Sequence, residues 1–168
     1  MKFNNDMLRL YAVTDRHWTG EQTLYEQVRD VLMGGATCLQ LREKDLDEAS
    51  FYEEAKNIKE LCRLFDVPFI INDNVMLAKE IDADGVHVGQ DDMACIKARE
   101  ILGPDKIIGV SAHTIEEARI AKEQGADYLG VGAIFPTSSK DDAEVLGIKR
   151  LKEMTETVDL PMVAIGGI

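Results

Sequence analysis

Cations, amides and hydroxyls follow several short apolar runs in this sequence. Arg42 and Lys44 follow one such run, and Lys140 stands in a later loop that is rich in hydroxyl groups. An arginine binds phosphate through two parallel hydrogen bonds, whereas a lysine binds it as a point charge. These side chains predict a site for a phosphorylated small molecule, and the alternative role of each is that of a solvated surface charge.

Two carboxylates follow two consecutive apolar runs. Asp73 comes after residues 68–71, and Asp91 and Asp92 come after residues 85–88. Mg²⁺ is a hard cation that takes one or two carboxylates together with phosphate oxygens. With the cations, these aspartates indicate a Mg²⁺-dependent enzyme that acts on a diphosphate. Each aspartate also begins a helical segment, so its alternative role is that of a helix cap.

The rest of the sequence alternates short apolar runs with segments of helical period. The runs are apolar nearly throughout, which is typical of parallel strands that are covered on both faces. The predicted strands are 8–13, 38–41, 68–71, 85–88, 107–110, 128–131 and 162–165. The predicted helices are 23–33, 46–65, 75–80, 94–102, 115–124 and 147–157.

Seven βα-type units without a hairpin signal predict an α/β fold, a (β/α)8 TIM-type barrel rather than an open sheet. The first predicted strand is not followed by a GxGxxG motif, which weakens a dinucleotide-binding interpretation. A complete barrel usually needs at least about 200 residues. We therefore expect one barrel domain over residues 1–168 that lacks its eighth βα unit at the C-terminus.

The composition argues against several classes of partner. The chain has 31 acidic and 19 basic side chains and a formal charge of -12, so binding to nucleic acid or to an anionic membrane is not expected. It shows no apolar signal core, and no apolar run approaches about 20 residues. Cys38, Cys62 and Cys95 are widely spaced, which favours buried free thiols. We expect a soluble cytoplasmic protein, and a homo-oligomer is compatible with the sequence.

Seven short strings resemble the thiamine phosphate synthase family. They are YAVTD at 11–15, QLREK at 40–44, ND at 72–73, DGVHVGQDD at 84–92, GVSAH at 109–113, residues 125–140, and AIGGI at 164–168. The resemblance covers nearly the whole chain. It implies a (β/α)8 transferase with Mg²⁺ as cofactor, which condenses hydroxymethylpyrimidine diphosphate with hydroxyethylthiazole phosphate. Diphosphate would leave, a pyrimidine-methyl carbocation would form, and the thiazole nitrogen would capture it.

The resemblance also implies roles for individual residues. The residues that would contact the two substrates are Gln40, Leu41, Arg42, Glu43, Lys44, Asn72, Ser111, Thr137, Ser138, Ser139, Lys140 and Gly167. Of these, the thiazole phosphate would be held by Thr137, Ser138, Ser139 and Gly167. The residues with a catalytic role would be Lys44, Ser111 and Lys140. Asp73 and Asp92 would bind Mg²⁺. Since the eighth unit supplies further contacts to the thiazole phosphate in the family, we expect little activity without it.

Other functions stay compatible with the sequence. A thiazole tautomerase-like relative would rearrange one thiazole phosphate without a metal, and would not need Arg42, Lys44 and the two aspartates together. A Schiff-base aldolase needs a lysine inside a strand end, and the predicted strands hold none. A phosphate-binding epimerase, or a phosphate-ligand-binding barrel fragment without catalysis, completes the alternatives.

Three residues near the predicted site have less certain roles. His87 lies inside an apolar run and is predicted to be a hydrogen-bonded core histidine. His113 is expected to steady its loop. Trp18 lies in the first loop after a strand, where it either covers the site or packs against the surface.

Overall fold

The computed structural model describes residues 2–90, 92–137 and 144–168, and seven parallel strands form one sheet within them. The strands are β1 (Tyr11–Val13), β2 (Cys38–Leu41), β3 (Phe69–Asn72), β4 (Gly85–Val88), β5 (Ile107–Ala112), β6 (Tyr128–Val131) and β7 (Met162–Ala164). The helices are α1 (Leu24–Met33), α2 (Glu48–Leu64), α3 (Val75–Glu80), α4 (Cys95–Leu102), α5 (Ile115–Glu123) and α6 (Gly147–Thr157).

Strand order in the sheet is the order in the chain, with each strand parallel to the next. The strands form a nearly closed barrel with helices between them, so the predicted α/β barrel class is confirmed. In the part of the chain that the structure describes, no helix is long and apolar enough to cross a membrane.

Two apolar clusters form the core. The larger cluster lies between sheet and helices and includes Leu39 and Leu41 of β2. The smaller cluster includes Cys38, Ile70 and Tyr128, which lie on the opposite face of their strands. Because successive side chains of a strand point to opposite faces, alternate residues of one strand build the outer core and the barrel interior.

Side-chain caps and glycines set the ends of several helices. Thr23 and Glu26 form a capping box before α1, and the Thr114 hydroxyl accepts a hydrogen bond from the Glu117 amide before α5. Gly35 follows α1 with a φ of +95°, a conformation that glycine adopts without a steric penalty. These signals place the predicted helices within two residues of the observed bounds.

The first predicted strand was too long at its start, since β1 begins at Tyr11 and not at residue 8. Leu8 instead ends a short 3₁₀ turn, Asn5–Leu8. The Asn4 side chain accepts a hydrogen bond from the Asp6 amide at 3.0 Å and begins this turn. A local side-chain hydrogen bond of this kind competes with strand formation, which the apolar run alone does not reveal.

All three cysteines are buried free thiols, as predicted. Burial raises the pKa of Cys38 and of Cys62 to about 12, and that of Cys95 to about 11. Since the thiolate is the reactive form of cysteine, these side chains act as small core residues.

Candidate functional site

The barrel interior changes from apolar to polar toward the carboxyl ends of the strands. On β2 the inner residues are Cys38 and then Gln40, and on β3 they are Ile70 and then Asn72. Ser111 lies near the end of β5. Polar groups therefore collect at the end of the barrel where parallel-barrel enzymes place their active sites.

Lys44, Asp73 and Asp92 meet at this end of the barrel. Lys44 Nζ lies 2.5 Å from Asp73 Oδ2, and the Asp73 carboxyl is hydrogen-bonded to that of Asp92. The Gly89 amide donates to Asp92 Oδ2 at 2.7 Å, and the Asp73 amide donates to the carbonyl oxygen of His87 at 2.8 Å. Backbone contacts thus hold both carboxylates in place.

The two carboxyl groups have shifted pKa values of opposite sign. Burial acts to raise the pKa of Asp73, but hydrogen bonds from Lys44, Asp92 and Asn72 outweigh it and hold that pKa below its ordinary value. Burial and the neighbouring Asp73 carboxylate raise the pKa of Asp92. Adjacent carboxylates disfavour two negative charges unless a proton or a cation lies between them.

This pair fits Mg²⁺ in the chemistry of its donors. The described residues contain no group of three or more histidine, cysteine, aspartate or glutamate side chains that could hold a metal. Mg²⁺ does not require such a group, because it usually binds one or two carboxylates together with substrate phosphates and water. Asp73 and Asp92 can therefore supply the protein's share of its ligands.

The helix-cap alternative for Asp73 is not what the structure shows. Asn74 is the cap of α3, and its Oδ1 accepts a hydrogen bond from the Leu77 amide at 2.9 Å. Asp73 has a φ of +61° and makes its side-chain contacts with the cluster just described. Asp91, the other candidate, lies outside the described residues.

Thr14 fixes the backbone of Arg42. Its buried hydroxyl accepts a hydrogen bond from the Arg42 amide at 2.9 Å and donates to the Arg42 carbonyl oxygen at 3.2 Å. Within residues 2–90, 92–137 and 144–168, the Arg42 guanidinium has no hydrogen-bond or ion-pair partner. Arg42 is thus a positioned cation whose donors are available to a ligand.

The side chains of Leu41 and Glu43 point to other surroundings. Leu41 is fully buried in the outer core. Glu43 accepts a hydrogen bond at 2.9 Å from Arg16, which also binds Glu54 of α2 at 2.7 Å. Burial raises the pKa of Glu43 against the opposing effect of Arg16. Any contact of Leu41 with a substrate would therefore involve its backbone, and Glu43 anchors the loop.

A chain of hydrogen bonds crosses the barrel below the site. Gln40 Nε2 donates to Tyr11 Oη at 2.9 Å, and Tyr11 Oη lies 2.6 Å from Tyr128 Oη. His87 Nδ1 lies 3.1 Å from Tyr128 Oη, and its Nε2 lies 3.0 Å from Ser111 Oγ. Five strands contribute one residue each. The tyrosines were missed in the sequence, where the only signal is a hydroxyl at an inner strand position.

His87 is the hydrogen-bonded core histidine that the sequence predicted. It is 8% exposed, and each ring nitrogen has a partner. Burial lowers its pKa to about 4, so the ring is neutral at neutral pH. The His113 amide donates to Glu117 at 2.6 Å, in agreement with a role in its loop, and Trp18 is mostly exposed.

Gly167 lies against the loop that follows β6. Its φ is +70°, and a Cβ there would lie 2.6 Å from the Pro136 carbonyl oxygen, which excludes larger residues. The Phe135 amide donates to the carbonyl oxygen of Gly166 at 2.9 Å, so this loop is tied to the end of β7. Thr137 is half-buried next to this contact. The three other predicted residues of the loop, Ser138, Ser139 and Lys140, lie outside the described residues.

Comparisons with known proteins agree on one family. The model of the family described as thiamine monophosphate synthase matches residues 10–168. The thiamine-phosphate synthase of Clostridium acetobutylicum is 51% identical over 160 residues, which cover 95% of this chain and 76% of that protein. That of Desulfitobacterium hafniense is 52% identical over 160 residues, with 95% and 77% covered.

Solved structures give the same result. Thiamine phosphate pyrophosphorylase from Pyrococcus furiosus superposes with a TM-score of 0.88 and 44% identity, over 98% of this chain and 77% of that one. N-acetylmannosamine-6-phosphate 2-epimerase from Clostridium perfringens has a TM-score of 0.66 at 14% identity, over 95% and 78% of the two chains. The second likeness concerns the fold alone.

Proposed function

The chain belongs to the thiamine monophosphate synthase family, and on this premise we propose which of its residues bind and convert the substrates. The enzyme is a transferase that condenses hydroxymethylpyrimidine diphosphate with hydroxyethylthiazole phosphate to give thiamine phosphate and diphosphate. The bond between the pyrimidine methylene carbon and the diphosphate oxygen breaks, and its electron pair leaves with the diphosphate. The lone pair of the thiazole nitrogen forms the new carbon–nitrogen bond.

The convergence of Lys44, Asp73 and Asp92 is the observation that carries the proposal. Three loops bring one cation and two carboxylates into hydrogen-bond contact. Asp73 and Asp92 would hold Mg²⁺ between the protein and the diphosphate. Bound Mg²⁺ supplies electrostatic stabilisation of the charge that develops on the leaving diphosphate. Lys44 supplies a further positive charge from the protein side.

The remaining donors would orient the pyrimidine diphosphate. Arg42 has an available guanidinium on a backbone that Thr14 fixes. The side chains of Gln40, Asn72 and Ser111 end three strands on the inner face. Lys140 would add a second lysine from the loop after β6. A carbocation-like reaction requires such fixed groups, because the nucleophile must be in place before the leaving group departs.

The thiazole phosphate would bind between the loop after β6 and the end of β7. Gly167 packs against the backbone of that loop, which allows the close approach of a phosphate to main-chain amides. Hydroxyl groups from Thr137, Ser138 and Ser139 would complete the phosphate contacts. This arrangement would place the thiazole across the barrel mouth from Asp73.

We further propose that the protein acts in the cytoplasm on small phosphorylated molecules. The support is its charge of -12, which disfavours binding to polyanions, and its three buried free thiols.

Production of thiamine phosphate from both substrates tests the proposal. We expect product with Mg²⁺, none after chelation, and a loss of at least about 100-fold in Asp73→Asn, comparable to the loss when a transition-state contact is removed. Asp66→Asn is the matched control, because Asp66 also has a positive φ but lies after α2, away from the site. Full activity of Asp73→Asn, or equal rates with and without a chelator, would overturn the assignment of the metal-binding pair.

A further inference from the structure

We propose that Tyr11, Tyr128 and His87 form a positioning relay that directs the Ser111 hydroxyl proton toward the substrate, which rests on the proposed function. The relay joins Gln40 of β2 to Ser111 of β5, two proposed contacts of the pyrimidine diphosphate. The three residues between them are not needed for substrate contact. Their arrangement decides instead which polar atoms the two end residues offer to a ligand.

The direction of the relay is set at Gln40. Its amide nitrogen can only donate, and it does so to Tyr11 Oη at 2.9 Å. The single proton of Tyr11 is then available for Tyr128 Oη at 2.6 Å, a usual length for an O–H···O bond. Tyr128 in turn directs its proton to His87 Nδ1 at 3.1 Å.

The neutral His87 ring carries the direction to Ser111. A neutral imidazole has one N–H group and one acceptor nitrogen. Because Nδ1 accepts from Tyr128, the ring proton is on Nε2, where it is donated to Ser111 Oγ at 3.0 Å. The Ser111 oxygen therefore accepts from within the protein, and its own proton is left for a ligand.

The ligand end requires the same direction independently. An ionised diphosphate has only acceptor oxygens, so a serine that binds it must donate. The reverse direction would use the Ser111 proton on His87 Nε2 and present only lone pairs to the ligand. With Gln40 oriented as it is, that reversal would also leave the Tyr11 proton with only the sulfur of Cys38, a weak acceptor.

Two glycines provide the space that the relay occupies. A Cβ at Gly109 of β5 would collide with Tyr128 Oη and with the His87 ring. A Cβ at Gly130 of β6 would lie 2.8 Å from His87 Cε1. The rings are thus enclosed by neighbouring strands, and their hydrogen-bonding atoms have little freedom to change partners.

Nitrogen-15 NMR of the histidine rings tests the direction without any substrate. We expect the His87 proton on Nε2 in the wild-type protein and a mixture of tautomers in Tyr128→Phe, which removes one hydroxyl and keeps the ring. Tyr52→Phe, on α2 at the surface, is the control and should leave the His87 signals unchanged. A wild-type ring with its proton on Nδ1 would overturn the relay.

Steady-state kinetics separate a positioning role from a structural one. Tyr128→Phe should raise the KM for the pyrimidine diphosphate about tenfold, the effect of one hydrogen bond, and leave the KM for the thiazole phosphate unchanged. Tyr11→Phe should act in the same direction, and it serves as the test if Tyr128→Phe does not fold. Equal changes in both KM values, or none, would contradict the relay. A wild-type protein that makes no product would overturn the proposed function, while the tautomer measurement would still decide the relay.

Discussion

Lys44 Nζ lies 2.5 Å from Asp73 Oδ2, so a proposed phosphate ligand and a proposed metal ligand neutralise each other. The lysine is 51% exposed on its side chain and the aspartate 26%. Exposed ion pairs of this kind contribute little to stability, so the contact is easily exchanged for others. The two residues form a charge-balanced pair that a diphosphate with its cation can separate.

Removing the lysine should free the carboxylate. We expect Lys44→Gln to bind Mg²⁺ alone about two- to fivefold more tightly, since an exposed ion pair is worth about 0.2–1 kcal/mol, and to bind the diphosphate substrate more weakly. Isothermal titration with magnesium chloride measures the first effect. Lys56→Gln, which removes a comparably exposed lysine from α2, should change neither affinity. Weaker Mg²⁺ binding in Lys44→Gln would show that Asp73 does not take the metal.

Arg42→Lys should weaken binding of the diphosphate substrate although the charge is kept. A lysine cannot reproduce the planar two-point contact of a guanidinium, and the loss of one charge-assisted hydrogen bond corresponds to about a tenfold rise in KM. Arg63→Lys is the matched control, because Arg63 is exposed on α2 and pairs with Glu60. An unchanged KM in Arg42→Lys would remove this residue from the site.

The buried thiols predict a loss of stability at high pH. Burial raises the pKa of Cys62 from 9.0 to about 12, so the native state keeps a proton that the unfolded state has lost between these values. The free energy of unfolding therefore falls as pH rises above about 9. Urea unfolding at about pH 8 and about pH 10 should show a smaller difference for Cys62→Ala than for the wild-type protein. Identical differences would mean that the thiol does not titrate in this way.

Gly109→Ala should destabilise the barrel from within. The added Cβ would collide with Tyr128 and His87, and overpacking of a core costs about 1–3 kcal/mol. Gly20→Ala is a useful comparison, because no atom lies within 4 Å of a Cβ there and only its φ of +60° opposes the substitution. Thermal or urea unfolding compares the two variants. A smaller loss for Gly109→Ala than for Gly20→Ala would contradict the packing described.

The fold was largely predictable because every strand is a short apolar run between amphipathic helices. β2, β4 and β6 have the predicted bounds, and the other elements, apart from the start of β1, differ by two residues or fewer. The position of Asp73 and Lys44 at one end of the barrel follows from parallel strands, whose carboxyl ends meet. Their direct contact does not follow from it, since it depends on the loop conformations.

The relay was beyond sequence reasoning for a different reason. Tyr11 and Tyr128 are separated by 117 positions, and their contact requires both to be inner residues of a barrel. In the sequence each is a single aromatic residue in an apolar run, which is typical of ordinary core. The buried hydroxyl of Thr14 is similar, because its two bonds to the Arg42 backbone depend on the pairing of β1 with β2.

The sequential strand order also has a consequence for how the chain folds. Every strand pair in the described sheet joins neighbours along the chain, so most pairing contacts span a single βα unit and the loop-closure entropy is modest. β2, β4 and β6 are buried along their whole length, whereas β1 and β7 are only partly buried. Amide hydrogen exchange should thus be slowest in the middle strands and fastest in β1 and β7, with structure spreading outward from a central nucleus.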